Sequence, residues 1–153
     1  MARKLSIMDS GWLMMETRET PMHVGGLALF AIPEDAPADY MEGIYRYLVE
    51  VNGICRPFHQ KIQSRLPMRM DAAWVEDKTF DIDYHVRHSA LPRPGRVREL
   101  LALVSRLHAQ RLDPSRPLWE SYLIEGLEGN RFALYTKMHH SMVDGVAGMY
   151  LMQ

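Results

Sequence analysis

Residues 132–145 read FALYTKMHHSMVDG, an apolar run followed by a segment rich in polar side chains. The first half of this stretch, residues 132–138, is apolar enough and long enough to be a strand inside a sheet. The strand leads directly into His139-His140, and Asp144-Gly145 follow before a segment of helical pattern. Reactive side chains favour the loops beyond the carboxyl ends of strands, so this strand-to-helix junction is the candidate site.

The residue types at this junction suit proton transfer. Neutral imidazole accepts a proton from a hydroxyl or thiol near pH 7. Neighbouring residues of an extended segment point to opposite sides, so only one of His139 and His140 can face a given substrate. Asp144 can set a histidine tautomer or pair with a cation, and Gly145 permits an approach that a Cβ would block.

The junction has three other interpretations. The histidines could be satisfied core residues, although two of them beside Asp-Gly is an unusual setting for that. Two opposed histidines and one carboxylate make a poor metal ligand set, and the HExxH spacing is missing, so we predict no metal. Ser141 could act as a nucleophile, but it lacks the Gly-x-Ser-x-Gly elbow.

The remainder of the chain alternates predicted helices and strands. Residues 22–32 are apolar on both faces, which predicts a central, buried strand, and Gly25-Gly26 would allow close backbone approach. Residues 57–70 fit a loop, a bent helix or an irregular strand equally well. The other predicted elements are helices 6–16, 39–51, 96–111 and 146–153, strands 73–76, 80–86, 118–127 and 131–138, and a tight turn at 128–130. The last helix has no C-terminal cap, so we expect the chain to be part of a longer protein.

Composition excludes several classes of protein. The 153 residues are 47 % hydrophobic and 24 % charged, as in a soluble domain, and the net charge of −1 argues against a nucleic-acid partner. The single cysteine allows no disulfide framework, and neither a secretory signal nor a membrane span is present, so we expect a cytoplasmic protein. Twelve methionines are an excess that fits gap-filling in a core or the lining of an acyl channel.

Charge is distributed unevenly along the chain. Between residues 87 and 116 there are seven arginines, opposed only by Glu99 and Asp113. This segment fits either a solvated face or a surface for anionic phosphates or anionic lipid.

The His-His-x-x-x-Asp-Gly segment resembles the active-site motif of the chloramphenicol-acetyltransferase-like acyltransferases, which include condensation domains and carnitine acyltransferases. Five further blocks are similar to the bacterial wax ester synthase/acyl-CoA:diacylglycerol acyltransferases. These blocks are LSIMD (5–9), PMHVGG (21–26), FDIDYHV (80–86), LPRPG (91–95) and DPSRPLWE (113–120). They occur in order, so the resemblance covers nearly the whole chain.

The resemblance implies an α/β fold, an α+β two-layer sandwich of the chloramphenicol-acetyltransferase type with a mixed sheet packed with helices. Residues 1–153 would be the N-terminal acyltransferase domain, incomplete at its C-terminus, and a C-terminal domain of the same protein would be its partner. In such enzymes a fatty acyl group moves from acyl-CoA to a long-chain alcohol, giving a wax ester, or to diacylglycerol, giving triacylglycerol.

The resemblance also implies roles for individual residues. His140 would be the general base, His139 would support it, Asp144 would hold the motif loop through an arginine, and Gly145 would make the turn. Acyl-CoA would be a co-substrate, with no permanently bound cofactor. A membrane or lipid-inclusion surface would be a further partner. His23, His85 and the Pro117-Leu118-Trp119 block are interpreted as scaffold.

Two alternatives stay open. A condensation-type enzyme would take its acyl group from a carrier protein rather than from coenzyme A. A non-catalytic module would bind lipid or acyl chains without turnover.

Overall fold

A computed structural model describes residues 3–54, 56–65 and 71–142. The strands are β1 (Arg3–Lys4), β2 (His23–Ala31), β3 (Gln60–Gln63), β4 (Ala73–Glu76), β5 (Val86–Ala90), β6 (Trp119–Leu127) and β7 (Arg131–His139). The helices are α1 (Ile7–Met15), α2 (Tyr40–Ile54), α3 (Ile82–His85) and α4 (Val97–Ala109), and 3₁₀ turns lie at Arg56–His59 and His140–Met142.

The strands form two sheets. The larger sheet has the order β2-β7-β6-β5, in which β5 runs parallel to β6 and the other pairs are antiparallel. The smaller sheet is antiparallel, with the order β1-β4-β3. Strand β7 lies between β2 and β6, which confirms the interior position predicted from its apolar sequence.

Helices cover both faces of the larger sheet. On one face Leu100 of α4 is fully buried against Tyr122 and Tyr135. On the other face Tyr45 and Leu48 of α2 pack against a cluster that includes Trp119 and Met138. The predicted mixed sheet packed with helices is therefore confirmed.

The turn between β6 and β7 forms as its residues predict. Gly129 and Asn130 have φ angles of 76° and 54°, and these two residue types tolerate the left-handed region best. The Asn130 carbonyl accepts the Ile32 N–H at 2.8 Å, so the turn also holds the end of β2.

The central position predicted for residues 22–32 is wrong. Within the described residues β2 pairs only with β7 and forms an edge of the sheet, and Leu29 and Phe30 are each 43 % exposed. Apolar residues on both faces require cover on both faces, but they do not specify how many strands pair with the segment. The predicted close approach is confirmed at Gly25, where an added Cβ would lie 2.8 Å from the Tyr135 hydroxyl oxygen.

The strand predicted at residues 80–86 is also wrong. The side chain of Asp81 accepts the Asp83 N–H at 3.1 Å and starts the short helix α3, so the strand begins only at Val86. The alternation of Phe80, Ile82 and Tyr84 imitates a strand, but an N-cap hydrogen bond favours the helical turn.

The other elements agree with the predicted pattern, with small differences. Helix α2 continues past Asn52, whose side-chain amide donates to the Leu48 carbonyl at 2.7 Å. Within residues 57–70, the structure has a 3₁₀ turn up to His59 and then β3 at Gln60–Gln63, and residues 66–70 lie outside the described part. The predicted helix at 146–153 lies outside the described residues. Met138 is buried in the core, as gap-filling predicts, whereas Met8, Met14 and Met15 on α1 are exposed.

Candidate active site

The end of β7 carries the two histidines and is held from both neighbouring strands. His139 lies opposite His23 of β2, and its N–H donates to the Leu118 carbonyl at 2.9 Å. The His140 N–H donates to the Met22 carbonyl at 2.9 Å. These backbone hydrogen bonds position both residues independently of their side-chain contacts.

His139 is fully buried and has a defined tautomer. Its Nδ1 accepts the Ser141 N–H at 3.1 Å and lies 2.7 Å from the Ser141 hydroxyl oxygen. A neutral ring that accepts at Nδ1 carries its proton at Nε2. That nitrogen lies 3.9 Å from Oε1 of Glu16.

Glu16 is a carboxylate held by several donors. Oε2 lies 2.8 Å from Nη2 of Arg111, and Oε1 accepts the Met22 N–H at 3.3 Å. Burial alone acts to raise the pKa of Glu16, but these hydrogen bonds and the charge of Arg111 outweigh it and lower the pKa below its ordinary value. A negative charge therefore lies beside His139.

His140 has different surroundings. It is half-buried at the start of the 3₁₀ turn, and its ring stacks on Trp12 of α1 with 4.7 Å between centroids and 19° between planes. Trp12 and Glu16 are four residues apart, so one turn of α1 reaches both histidines. Sequence reasoning missed Trp12 and Glu16 as site residues, although this spacing was a signal that could have found them.

The other predicted site residues have different outcomes. Asp144 and Gly145 lie outside the described residues. Ser141 is buried with its hydroxyl oxygen toward His139, an arrangement that suits support of the ring. Within the described ranges, no group of three or more His, Cys, Asp or Glu side chains is arranged to hold a metal ion. In the same part of the chain no helix has the length and apolar character needed to cross a membrane.

The residues interpreted as scaffold are packed as expected. His23 donates from Nε2 to the His108 carbonyl at 2.8 Å, and His85 donates from Nδ1 to the Trp119 carbonyl at 2.7 Å. Burial lowers the pKa of both rings, so both are neutral near pH 7. Pro117 and Trp119 are also almost completely buried.

A buried lysine supports the strand two residues before His139. Lys137 has no solvent exposure, donates to the carbonyls of Leu107 and Gln110 at 2.9 and 2.8 Å, and lies 3.3 Å from Oε2 of Glu120. Burial lowers the pKa of Lys137, and the charge of Glu120 opposes that effect. This lysine ties the end of α4 to the middle of the sheet.

The chain has relatives of high sequence identity. O-acyltransferase WSD of Acinetobacter baylyi is 47 % identical over 152 residues, which cover 99 % of this chain and 32 % of the relative. The probable diacylglycerol O-acyltransferase tgs2 of Mycobacterium tuberculosis is 50 % identical over 146 residues, covering 95 % and 32 %. The chain therefore spans about a third of the length of these curated relatives.

Solved structures agree with these matches. The wax ester synthase/diacylglycerol acyltransferase from Marinobacter aquaeolei VT8 superposes with a TM-score of 0.87 at 47 % identity, over 98 % of this chain and 36 % of that one. The starter condensation domain of rhizomide synthetase superposes with a TM-score of 0.75 at 12 % identity, over 99 % of this chain and 34 % of that one. The second likeness concerns the fold alone. The match to the Marinobacter structure confirms the predicted fold class.

A sequence model of the wax ester synthase/diacylglycerol acyltransferase catalytic domain matches residues 5–153, nearly the whole chain. The match includes each block on which the resemblance rested and both histidines at the end of β7. The chain belongs to the wax ester synthase/diacylglycerol acyltransferase family.

Proposed function

We propose that the intact protein is an acyl-CoA-dependent O-acyltransferase that moves a fatty acyl group to a long-chain alcohol or to diacylglycerol. The observation that carries the proposal is the half-buried His140 at the end of the interior strand, in a chain of this family. The relatives named above as acyltransferases support the reaction class.

His140 acts as the general base in this proposal. Its imidazole takes the proton of the acceptor hydroxyl, and the oxygen bonds to the carbonyl carbon of the thioester. The tetrahedral intermediate then loses its C–S bond, and the coenzyme A thiolate leaves with the proton that the imidazolium returns. A positioned base contributes about 10²- to 10⁴-fold to the rate, and hydrogen-bond donors to the oxyanion contribute further.

The other residues have supporting roles. His139, fully buried between Ser141 and Glu16, holds the motif in place. By family resemblance, Asp144 orients the motif loop through an arginine and Gly145 makes its turn. Acyl-CoA serves as co-substrate without a permanently bound cofactor, and residues 1–153 form the N-terminal acyltransferase domain beside a C-terminal domain of the same protein.

Replacement of the base tests the proposal. His140→Ala in the intact protein should lower ester formation from acyl-CoA by about 10²- to 10⁴-fold, with a long-chain alcohol and with diacylglycerol as acceptors. His88→Ala is the matched control, because His88 lies on the edge strand β5, which β6 separates from β7. Unchanged turnover of His140→Ala would overturn the proposal. Faster turnover of the same acyl group on a carrier protein would favour the condensation-type alternative.

We also propose that the protein is cytoplasmic and attaches to the inner face of the cell membrane or to lipid inclusions. Three of the seven arginines between 87 and 116 are engaged with Tyr84 or with Glu16: Arg87, Arg111 and Arg116. The other four are exposed and supply a cationic surface: Arg93, Arg96, Arg98 and Arg106.

Co-sedimentation with anionic vesicles tests this attachment. Binding should weaken with added salt, because salt screens the attraction to anionic lipid. At a fixed salt concentration, the double variant Arg98→Glu with Arg106→Glu should bind more weakly than the wild type, because the reversed charges are repelled by anionic lipid. Attachment that is insensitive to salt would contradict it. Vesicle binding by an intact protein that forms no ester would favour the non-catalytic module.

A further inference from the structure

Trp12 of α1 contacts the proposed base without a part in the chemistry described so far. We infer that Trp12 is a positioning residue that fixes the His140 ring plane and stabilises the imidazolium formed during acyl transfer. This inference rests on the proposed role of His140 as general base.

The stack has the geometry of a specific aromatic contact. The centroid distance of 4.7 Å and the interplanar angle of 19° lie within the range of favourable offset stacking. One face of the imidazole is therefore covered by the indole. The His140 N–H bond to the Met22 carbonyl holds the backbone while the stack holds the side chain.

The contact strengthens when His140 takes up a proton. An indole face carries partial negative charge and attracts a cation more than a neutral ring. The imidazolium exists after the hydroxyl has lost its proton, so the attraction acts on a charge that develops during the reaction. An interaction that is stronger at that stage than in the ground state raises kcat rather than substrate affinity.

Contacts along helix α1 hold Trp12 in position. The Ser6 hydroxyl caps the helix by accepting the Asp9 N–H at 3.0 Å. Leu13, the next residue after Trp12, is buried in a cluster with Leu112 and Leu118. One turn later Glu16 is held by Arg111 and by the Met22 N–H, so the helix is fastened at its start, middle and end.

Two substitutions separate stacking from general packing. In the intact protein, Trp12→Leu should lower kcat for ester formation by about 3- to 30-fold with the acceptor KM nearly unchanged, as expected for loss of a cation–π contact. Trp12→Phe keeps an aromatic face and should retain most of the wild-type kcat. Met8→Leu is the matched control, because Met8 lies on the same helix and is 72 % exposed.

A spectroscopic signal tests the stack without turnover. The Cε1–H resonance of His140, assigned with His140→Ala, should lie upfield in the wild type because of the indole ring current, and Trp12→Leu should move it downfield. If Trp12→Leu does not fold, the wild-type resonance decides, and a position without the upfield shift overturns the inference.

The outcomes distinguish this inference from the proposed function. Full activity of His140→Ala overturns the proposed base and the inference together. Loss of activity in His140→Ala with a normal kcat in Trp12→Leu overturns the inference alone. Equal losses of kcat in Trp12→Leu and Trp12→Phe also overturn it, because stacking would then not be the property that matters.

Discussion

The carboxylate of Glu16 lies 3.9 Å from Nε2 of His139, so the first helix and the end of the interior strand share a buried electrostatic contact. Glu16 is at the same time bound by Arg111, which follows α4. A single carboxylate therefore connects α1, the segment after α4 and the motif. This connection makes the site sensitive to the protonation of Glu16.

Acid should destabilise the protein through Glu16. Its folded-state pKa is lowered from 4.5, so the stabilisation is complete above that value and is lost as pH falls through the lower folded-state pKa. Glu16→Gln should lower the free energy of unfolding by about 1.5–3 kcal/mol near neutral pH. The variant should also lose less stability than the wild type as the pH falls. Urea unfolding from about pH 7 to about pH 3 measures both effects. Glu34→Gln, at an exposed loop position, is the control. The prediction would be contradicted if the free energy of unfolding of Glu16→Gln fell with decreasing pH as steeply as that of the wild type.

Removal of the buried lysine charge should be costly. Lys137→Met leaves the buried Glu120 without its cation and removes two hydrogen bonds to carbonyls at the end of α4. Breaking a buried pair in this way costs about 3–5 kcal/mol of unfolding free energy. Adding Glu120→Gln should restore part of the loss, because no unpaired charge then remains. A loss below about 1 kcal/mol in the single variant would show that the pair contributes little.

Two glycine-to-alanine changes should have opposite signs. At Gly25 the new Cβ would lie 2.8 and 2.9 Å from atoms of the buried Tyr135 side chain, whose hydroxyl is hydrogen-bonded to His108. We therefore expect Gly25→Ala to lower the free energy of unfolding by about 1–3 kcal/mol. At Gly43 in α2 nothing lies within 4 Å, so alanine should stabilise by up to about 1 kcal/mol through helix propensity. Chemical denaturation of both variants measures the difference, and equal effects would refute the packing argument.

Two neighbouring leucines of α4 should also differ. Leu100 is fully buried in the core, whereas Leu101 is 50 % exposed. Leu100→Ala should lower the free energy of unfolding by about 2–5 kcal/mol, and Leu101→Ala should lower it by less than about 1 kcal/mol. Thermal and urea unfolding of the two variants provide the comparison. Similar losses at the two positions would mean that α4 is rotated relative to the described packing.

Local patterns were sufficient for the elements whose structure depends on near neighbours. The turn at Gly129-Asn130 follows from residues that tolerate positive φ, and α4 follows from the apolar spacing along one helix face. The apolar run before His139 predicted an interior strand, which β7 is. The family blocks also identified the family from residue types alone.

Patterns failed where distant contacts decide the outcome. The segment that became β2 has the composition of a central strand but lies at an edge, because the choice of partners belongs to the whole sheet. The segment that became α3 alternates like a strand, but the Asp81 cap and the stack of His85 on Trp119 favour a helical turn.

Residue types and their spacing along the chain were enough to predict the family, the interior strand and the position of His139-His140 at its end. The surroundings of each histidine depend instead on how distant elements pack together. Trp12 and Glu16 lie more than a hundred residues earlier in the chain. They reach His140 and His139 because the buried cluster of Leu13, Leu112 and Leu118 holds α1 near the end of β7. Contacts across such a separation depend on packing between elements, which spacing along the chain does not specify.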